Sequence, residues 1–185
     1  RTIEFDDSDF TFQDKETREG LIKTGAVLDK LGISNDNFAQ SIVISTKALG
    51  MSAEEAGQSM LDLEKFAREL GVSPERLSGQ FLEAGDTLAK LGENGDEAFR
   101  DLAAASKITN LEVSKLLNIV NQFDTFEGAA RQAGKLNAAL GGNFVNAMDL
   151  MMETDPTARF EQIRDAILDT GLSFDEMSYY QKNFY

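Results

Sequence analysis

The sequence contains no cysteine and no histidine among its 185 residues. Without cysteine, the chain can form no disulfide, thiolate nucleophile or thiolate metal ligand, and the redox compartment stays undetermined. Without histidine, it also lacks the commonest general base and transition-metal ligand. We therefore expect no catalytic residue, no metal site and no cofactor, and we predict that the protein is not an enzyme.

Basic residues are scarce as well, with 18 Lys and Arg against 32 Asp and Glu. The resulting net charge of −14 would repel a phosphate backbone, and no cluster of basic residues offers a compensating surface. Direct nucleic-acid binding is therefore not expected. Uninterrupted apolar runs of about 18 residues are also missing, so we expect no stable membrane span.

The two ends of the sequence indicate a segment of a longer chain. It begins with Arg1, and its last residues, YYQKNFY, give no signal that ends a helix. Residues 1–14 are acidic, do not resemble a secretory signal, and are predicted to form an extended arm. Residues 15–185 are predicted to form a helical array, with a possible sub-boundary near 107–110.

A short phrase recurs along the chain, as LGISNDN from Leu31, LGMSAEE from Leu49, LGVSPER from Leu70 and TGLSFDE from Thr170. Its glycine is typical of the left-handed residue that ends a helix, and the next apolar residue packs back on the last turn. Its serine is typical of an N-cap, and in LGMSAEE a carboxylate three residues later completes a capping box. Each phrase thus predicts one tight helix–helix connection.

Similar chemistry predicts more helix starts. The predicted caps are Ser34, Ser52 with Glu55, Ser73 before Pro74, Asn94 with Glu97, Thr109 with Glu112, Asp124 with Glu127, Asp155 before Pro156, and Ser173 with Glu176. Between the caps, apolar residues recur with a helical period, including a stripe through Phe126, Ala130, Ala133, Leu136 and Leu140. The short β-branched run SIVIS at 41–45 also fits a helix face. We therefore predict an all-α array of roughly eight to ten short helices.

Acidic residues cluster at several places, and each cluster has a structural explanation. The pairs at 54–55, 93–96 and 165–169 could serve glycoside hydrolysis only across a cleft, whereas helix capping and solvation explain them directly. The stretches 6–9 and 93–97 lack the ligand order of an EF-hand loop. We expect solvated turns and helix ends at these positions.

Methionines concentrate in the least charged part of the chain. Met148, Met151 and Met152 follow closely on Phe144 and Val145. Such clusters are commonly core, yet methionine is adaptable and can line a surface that accommodates another subunit. Core packing is the more common role of such a cluster, and a partner interface formed by these five residues is the site hypothesis that we keep beside it.

From Phe123 onward, the sequence contains the phrases LNAALGG, METDPTARFEQIRDAI and TGLSFDEM. With these phrases it resembles the tail tape measure proteins of contractile-tailed bacteriophages, most closely over the last third of the chain. The resemblance implies a structural virion protein of the phage tail, in the tube lumen or at the baseplate hub. Such a protein templates tail tube length, associates with itself and with tube and baseplate hub proteins, and is expelled during genome ejection.

Two other functions remain open from the residues alone. One is a soluble helical adaptor that binds partner helices through the methionine cluster. The other is a tail-associated muralytic enzyme domain, which would need a cleft carboxyl group with a raised pKa.

Overall fold

The structure is a computed structural model that describes residues 15–170. In this part of the chain, the regular secondary structure consists of nine α-helices and one 3-10 turn, without a strand. The all-α prediction is therefore confirmed. The predicted arm at 1–14 and the predicted cap at Ser173 lie outside the described residues.

The helices, in chain order, are α1 (Lys15–Leu31), α2 (Asn35–Lys47), α3 (Ala53–Leu70), α4 (Pro74–Ala89), α5 (Gly95–Thr109), α6 (Val113–Asn121), α7 (Phe126–Leu140), α8 (Ala147–Met152) and α9 (Pro156–Leu168). A 3-10 turn, Gly92–Asn94, precedes α5. The chain divides into two compact units, unit 1 (1–114) and unit 2 (115–185). The division into an arm and an array with a sub-boundary near 107–110 stays a prediction.

The recurring glycine phrase ends three helices as predicted. Gly32, Gly50 and Gly71 have φ values of 95°, 74° and 67°, which lie in the left-handed region. The backbone N–H of the next residue donates to a carbonyl of the helix just ended, at 2.9 Å for Ile33, 3.1 Å for Met51 and 2.9 Å for Val72. These bonds satisfy carbonyls that the helix end leaves without an intrahelical partner.

The serines of the same phrase begin the next helices. Ser34, Ser52 and Ser73 each accept, through the side-chain oxygen, a backbone N–H three residues ahead. At Ser52 the capping box is complete, because the Glu55 carboxylate also accepts the Ser52 backbone N–H at 2.8 Å. Each prediction of a connection at Gly32, Gly50 and Gly71 is therefore confirmed.

The predicted caps at Thr109 and Asp124 are wrong. Thr109 is the last residue of α5, where its hydroxyl donates to the Ala105 carbonyl at 2.7 Å and so bonds to the helix it ends. Before α7, the cap is Thr125, whose hydroxyl oxygen accepts the Gly128 N–H at 3.1 Å. A third predicted cap, Asn94, precedes α5 but makes no capping hydrogen bond, since its backbone is already helical.

In unit 1, α1 packs against α3, and α2 packs against both α3 and α4. The run SIVIS lies inside α2 as helix, with Ile42 fully buried. Phe81 of α4 and Phe99 of α5 meet edge to face, with ring centroids 5.2 Å apart. Helices that are neighbours in the chain, and helices separated by one other helix, therefore pack together in unit 1.

Unit 2 has its own apolar core. Its buried members are Phe123, Ala129, Ala133, Leu136, Leu140, Leu150 and Ile163. The stripe predicted along α7 is partly wrong, because Phe126 is 66% exposed and Ala130 is exposed, whereas Ala129 lies in the core. The buried face of α7 is therefore rotated from the predicted one in its first turn.

Candidate partner interface

The predicted interface residues lie on α8 and on the loop before it. Gly141, with φ 80°, ends α7, and the chain then runs through 142–146 to α8, which packs closely against α7. Asn146 begins α8, since its side-chain oxygen accepts the Met148 N–H at 2.9 Å. The loop and α8 are thus held on the C-terminal half of α7.

One side chain, that of Asn137 on α7, fixes this loop. Its Oδ1 accepts the backbone N–H groups of Phe144 at 2.8 Å and of Val145 at 2.9 Å. Its Nδ2 donates to the Val145 carbonyl at 2.8 Å. The side-chain amide therefore both accepts from and donates to the loop backbone, as the backbone of a neighbouring strand does. These bonds fix the positions of Phe144 and Val145. Sequence reasoning missed Asn137, which reads as an ordinary polar residue of an alanine-rich helix.

The structure divides the methionine cluster between core and surface. Leu150 is buried, and Val145 and Met151 pack against the unit 2 core while remaining partly exposed. On the other side of α8, Met148 is 44% exposed and Met152 is 71% exposed.

Phe144, in the preceding loop, is 39% exposed. We call Phe144, Met148 and Met152 the Met-rich face. Three of the five predicted interface residues are therefore available to a partner, and the binding itself stays a prediction.

A groove of about 480 Å³ runs beside this face, between α8 and α9. Its lining residues are Phe144, Val145, Asn146, Asp149, Leu150, Gln162, Asp165, Ala166 and Asp169. The groove thus combines an apolar floor with three carboxylates at its edges.

The three carboxylates differ in their surroundings. Asp165 accepts a hydrogen bond from Arg164 at 2.9 Å, and this bond raises the pKa of the Arg164 guanidinium. Within residues 15–170, Asp149 and Asp169 take part in no ion pair. The negative charge that the groove presents to a partner is therefore mainly that of Asp149 and Asp169.

A buried arginine ties unit 2 together, and sequence reasoning missed it too. Arg159 of α9 is 5% exposed, and its guanidinium donates to the Val120 carbonyl at 2.7 Å and to the Glu153 carbonyl at 3.0 Å. It therefore holds the α8–α9 connection to the end of α6. A signal was present in the sequence: Arg159 stands four residues before Ile163, on the apolar stripe of its helix.

Two of the acidic residues singled out in the sequence have structural partners, and the stretch 6–9 lies outside the described residues. Glu55 completes the capping box at Ser52, as expected. Asp96 accepts the Ser59 hydroxyl at 2.7 Å and pairs with Arg100. Among the residues that the structure describes, no three acidic side chains are grouped so as to hold a metal ion. No helix in residues 15–170 combines the length and the apolar character needed to cross a bilayer.

No protein-family model matches the chain, and no curated protein or solved structure matches it. The resemblance to tape measure proteins therefore stays a prediction from the sequence from Phe123 onward.

Proposed function

We propose that the chain is a structural segment of a phage tail tape measure protein, which contacts tube and baseplate hub proteins. The observation that carries the proposal is the Met-rich face. It leaves three large apolar side chains in water, in the part of the chain where the sequence resembles tape measure proteins. Apolar side chains exposed together are typical of a surface that another protein covers.

The charge of the chain supports the same placement. A tape measure protein occupies a channel through which DNA later passes, so it must not retain DNA. With a net charge of −14, this chain repels a phosphate backbone. The proposed role therefore needs protein contacts rather than nucleic-acid contacts, and the Met-rich face offers them.

The first test is the location of the protein. We expect mass spectrometry of purified virions to detect peptides from 15–170, and we expect these peptides to be lost from particles that have released their genome. Absence from purified virions would overturn the proposal and favour an adaptor that acts in the cell.

The second test changes the face itself. Met148→Ser with Met152→Ser, in the full-length gene, removes apolar surface without opening the core, so the stability of the free chain should change by less than about 1 kcal/mol. We expect complete tails, counted by electron microscopy, to fall by about tenfold, because the change removes buried apolar area from the contact.

The matched controls are Ile108→Ser and Leu168→Ser, which remove apolar side chains that are 84% and 62% exposed but lie outside the Met-rich face. We expect both controls to leave tail number unchanged. Equal tail numbers in the double variant and in the controls would contradict a contact at this face.

A further inference from the structure

The groove between α8 and α9 indicates the chemistry of the partner. We propose that it binds a basic amphipathic helix of another protein, with an apolar side chain of that helix in the groove and Lys or Arg against Asp149 and Asp169. The inference rests on the proposed function only in taking the Met-rich face as a contact surface. It adds the charge and the shape of the partner segment.

The floor of the groove suits an apolar anchor. Phe144, Val145, Leu150 and Ala166 contribute apolar surface to this open depression of about 480 Å³. Anchoring of one large side chain in such a depression commonly supplies most of the binding free energy of a contact. The hydrogen bonds to the Asn137 side chain hold the backbone of Phe144 and Val145 in place before any partner binds.

The Met-rich face borders this groove. Successive residues of a helix are rotated by about 100°, so Met152 lies about 60° from Asp149 around α8. Asp149 and Phe144 line the groove, and Met152 is exposed on the neighbouring side of α8. A helix that places one side chain in the groove would therefore also lie near Met152, as in helix-in-groove recognition.

The charges along α9 favour a cationic partner. The last turn of α9 has no basic residue, and Asp165 and Asp169 stand at this end. The C-terminal end of a helix carries partial negative charge, so carboxylates there are unfavourable for the helix itself. Arg164 offsets Asp165, whereas in the described part of the chain Asp169 has no cation beside it. A basic group from a partner would relieve this repulsion.

A second copy of the chain is a poor occupant. Each copy carries a net charge of −14, so two copies would bring like charges together at a groove already edged by carboxylates. A basic segment of another protein is instead attracted electrostatically to these carboxylates, and it should associate with the groove faster at low salt.

The probe for the test is a synthetic helical peptide of about 18 residues, with leucines on one face and lysines on the flanking positions. A matched peptide has glutamate in place of every lysine. Binding to the whole 185-residue chain is measured by fluorescence anisotropy at about 50 and 300 mM salt. We expect the lysine peptide to bind and to weaken several-fold at the higher salt, and we expect no measurable binding of the glutamate peptide.

The variant that tests the groove is Asp149→Asn with Asp169→Asn. Its control is Asp29→Asn with Asp86→Asn, which changes the net charge equally at exposed positions of unit 1. We expect the groove variant to bind the lysine peptide about fivefold more weakly, and the control less than twofold more weakly. Circular dichroism establishes that both variants keep the helical content of the parent chain.

Equal binding by the groove variant and the control, or equal binding of the two peptides, would overturn the inference. The two proposals fail separately. If the lysine peptide does not bind at the groove but the protein is present in virions, the basic partner helix is ruled out and the structural role in the tail is retained. If the lysine peptide binds as expected but the protein is absent from virions, the groove binds a basic helix and the tail role is ruled out.

Discussion

The Nη1 atom of Arg159 lies 2.6 Å from the Oδ1 atom of Asp124, which joins α9 to the α6–α7 connection. Arg159 is 5% exposed, and its side chain also donates to two backbone carbonyls, those of Val120 and Glu153. A guanidinium stays protonated when buried, so it needs acceptors around it. These three acceptors come from three separate segments of unit 2.

Arg159→Ala should therefore destabilise unit 2. The change removes the ion pair with Asp124 and the donors to the Val120 and Glu153 carbonyls, and it opens a cavity. The Val120 carbonyl keeps one donor, the Phe123 N–H, so we expect the free energy of unfolding of unit 2 to fall by about 2–3 kcal/mol. Urea unfolding followed by circular dichroism at 222 nm measures the loss, and hydrogen exchange in 115–170 locates it. Arg131→Ala is the control, because its pair with Glu127 is exposed, and it should change stability by at most about 0.5 kcal/mol. Similar losses in both variants would contradict this account.

Asn137 should control the order of the loop before α8. Asn137→Ala removes three hydrogen bonds to the loop backbone, and we expect a loss of about 2 kcal/mol. Hydrogen exchange at the Phe144 and Val145 amides should then speed up by about 30-fold, since about 1.4 kcal/mol corresponds to tenfold. Asn137→Asp keeps the acceptor but loses the donor, so its effect should be intermediate. The control is Lys135→Ala, at an exposed position of the same helix. If the Phe144 and Val145 amides exchange as fast in this control as in Asn137→Ala, the prediction is wrong.

Two glycines of α7 should respond oppositely to alanine. A Cβ on Gly128 would overlap the Gln122 carbonyl oxygen and lie 2.8 Å from the Thr125 hydroxyl oxygen, so Gly128→Ala should cost about 1–3 kcal/mol. A Cβ on Gly134 would meet no atom within 4 Å, so Gly134→Ala should stabilise by up to about 1 kcal/mol through helix propensity. Thermal unfolding of the two variants provides the comparison. The same sign of change in both would show that the close approach at Gly128 is incorrect.

The capping box at Ser52 should give a pH-dependent stability. Hydrogen bonds from the Ser52 backbone and from its side chain hold the pKa of the Glu55 carboxyl below its ordinary value. A folded-state pKa below the unfolded one means that the stabilisation is present above the ordinary glutamate pKa, about 4.3. It is then lost as the pH falls through the folded pKa.

Glu55→Gln should therefore melt at a lower temperature than the parent chain at pH 7, with the difference shrinking toward pH 3. Thermal unfolding at a series of pH values measures it, with Glu54→Gln, the neighbouring acid in the same turn, as the control. If the difference in melting temperature between Glu55→Gln and the parent chain does not vary with pH, the Glu55 carboxylate is not the source of the stabilisation.

The connections that could be predicted from sequence depend on neighbours in the chain. At Gly50 and Ser52, every bond of the cap joins residues at most six positions apart, so the local sequence contains all the partners. The same holds at Gly71. At Gly32 the glycine and the Ser34 side chain also bond locally, but the Ser34 backbone N–H donates to the Glu75 carboxylate, 41 residues away, at 2.7 Å. Helix ends of this kind are therefore predictable without knowledge of the tertiary structure.

The features that sequence reasoning missed depend on distant partners. Asp124 and Thr125 are both good N-caps, and only the contact of Asp124 with Arg159, 35 residues away, distinguishes them. Local propensity cannot rank two adjacent capping residues. For the same reason, the division of the methionine cluster into core and surface follows from how α8 packs on α7, which its period alone does not fix.

The path of the chain in unit 1 limits how far its helices extend. Because α1 packs on α3 and α2 on α4, the chain doubles back, and its longest helix, with 18 residues, spans only about 27 Å. The same residues in one uninterrupted helix would extend much farther, so under the proposed tape measure role the length of this stretch must be taken from its fold.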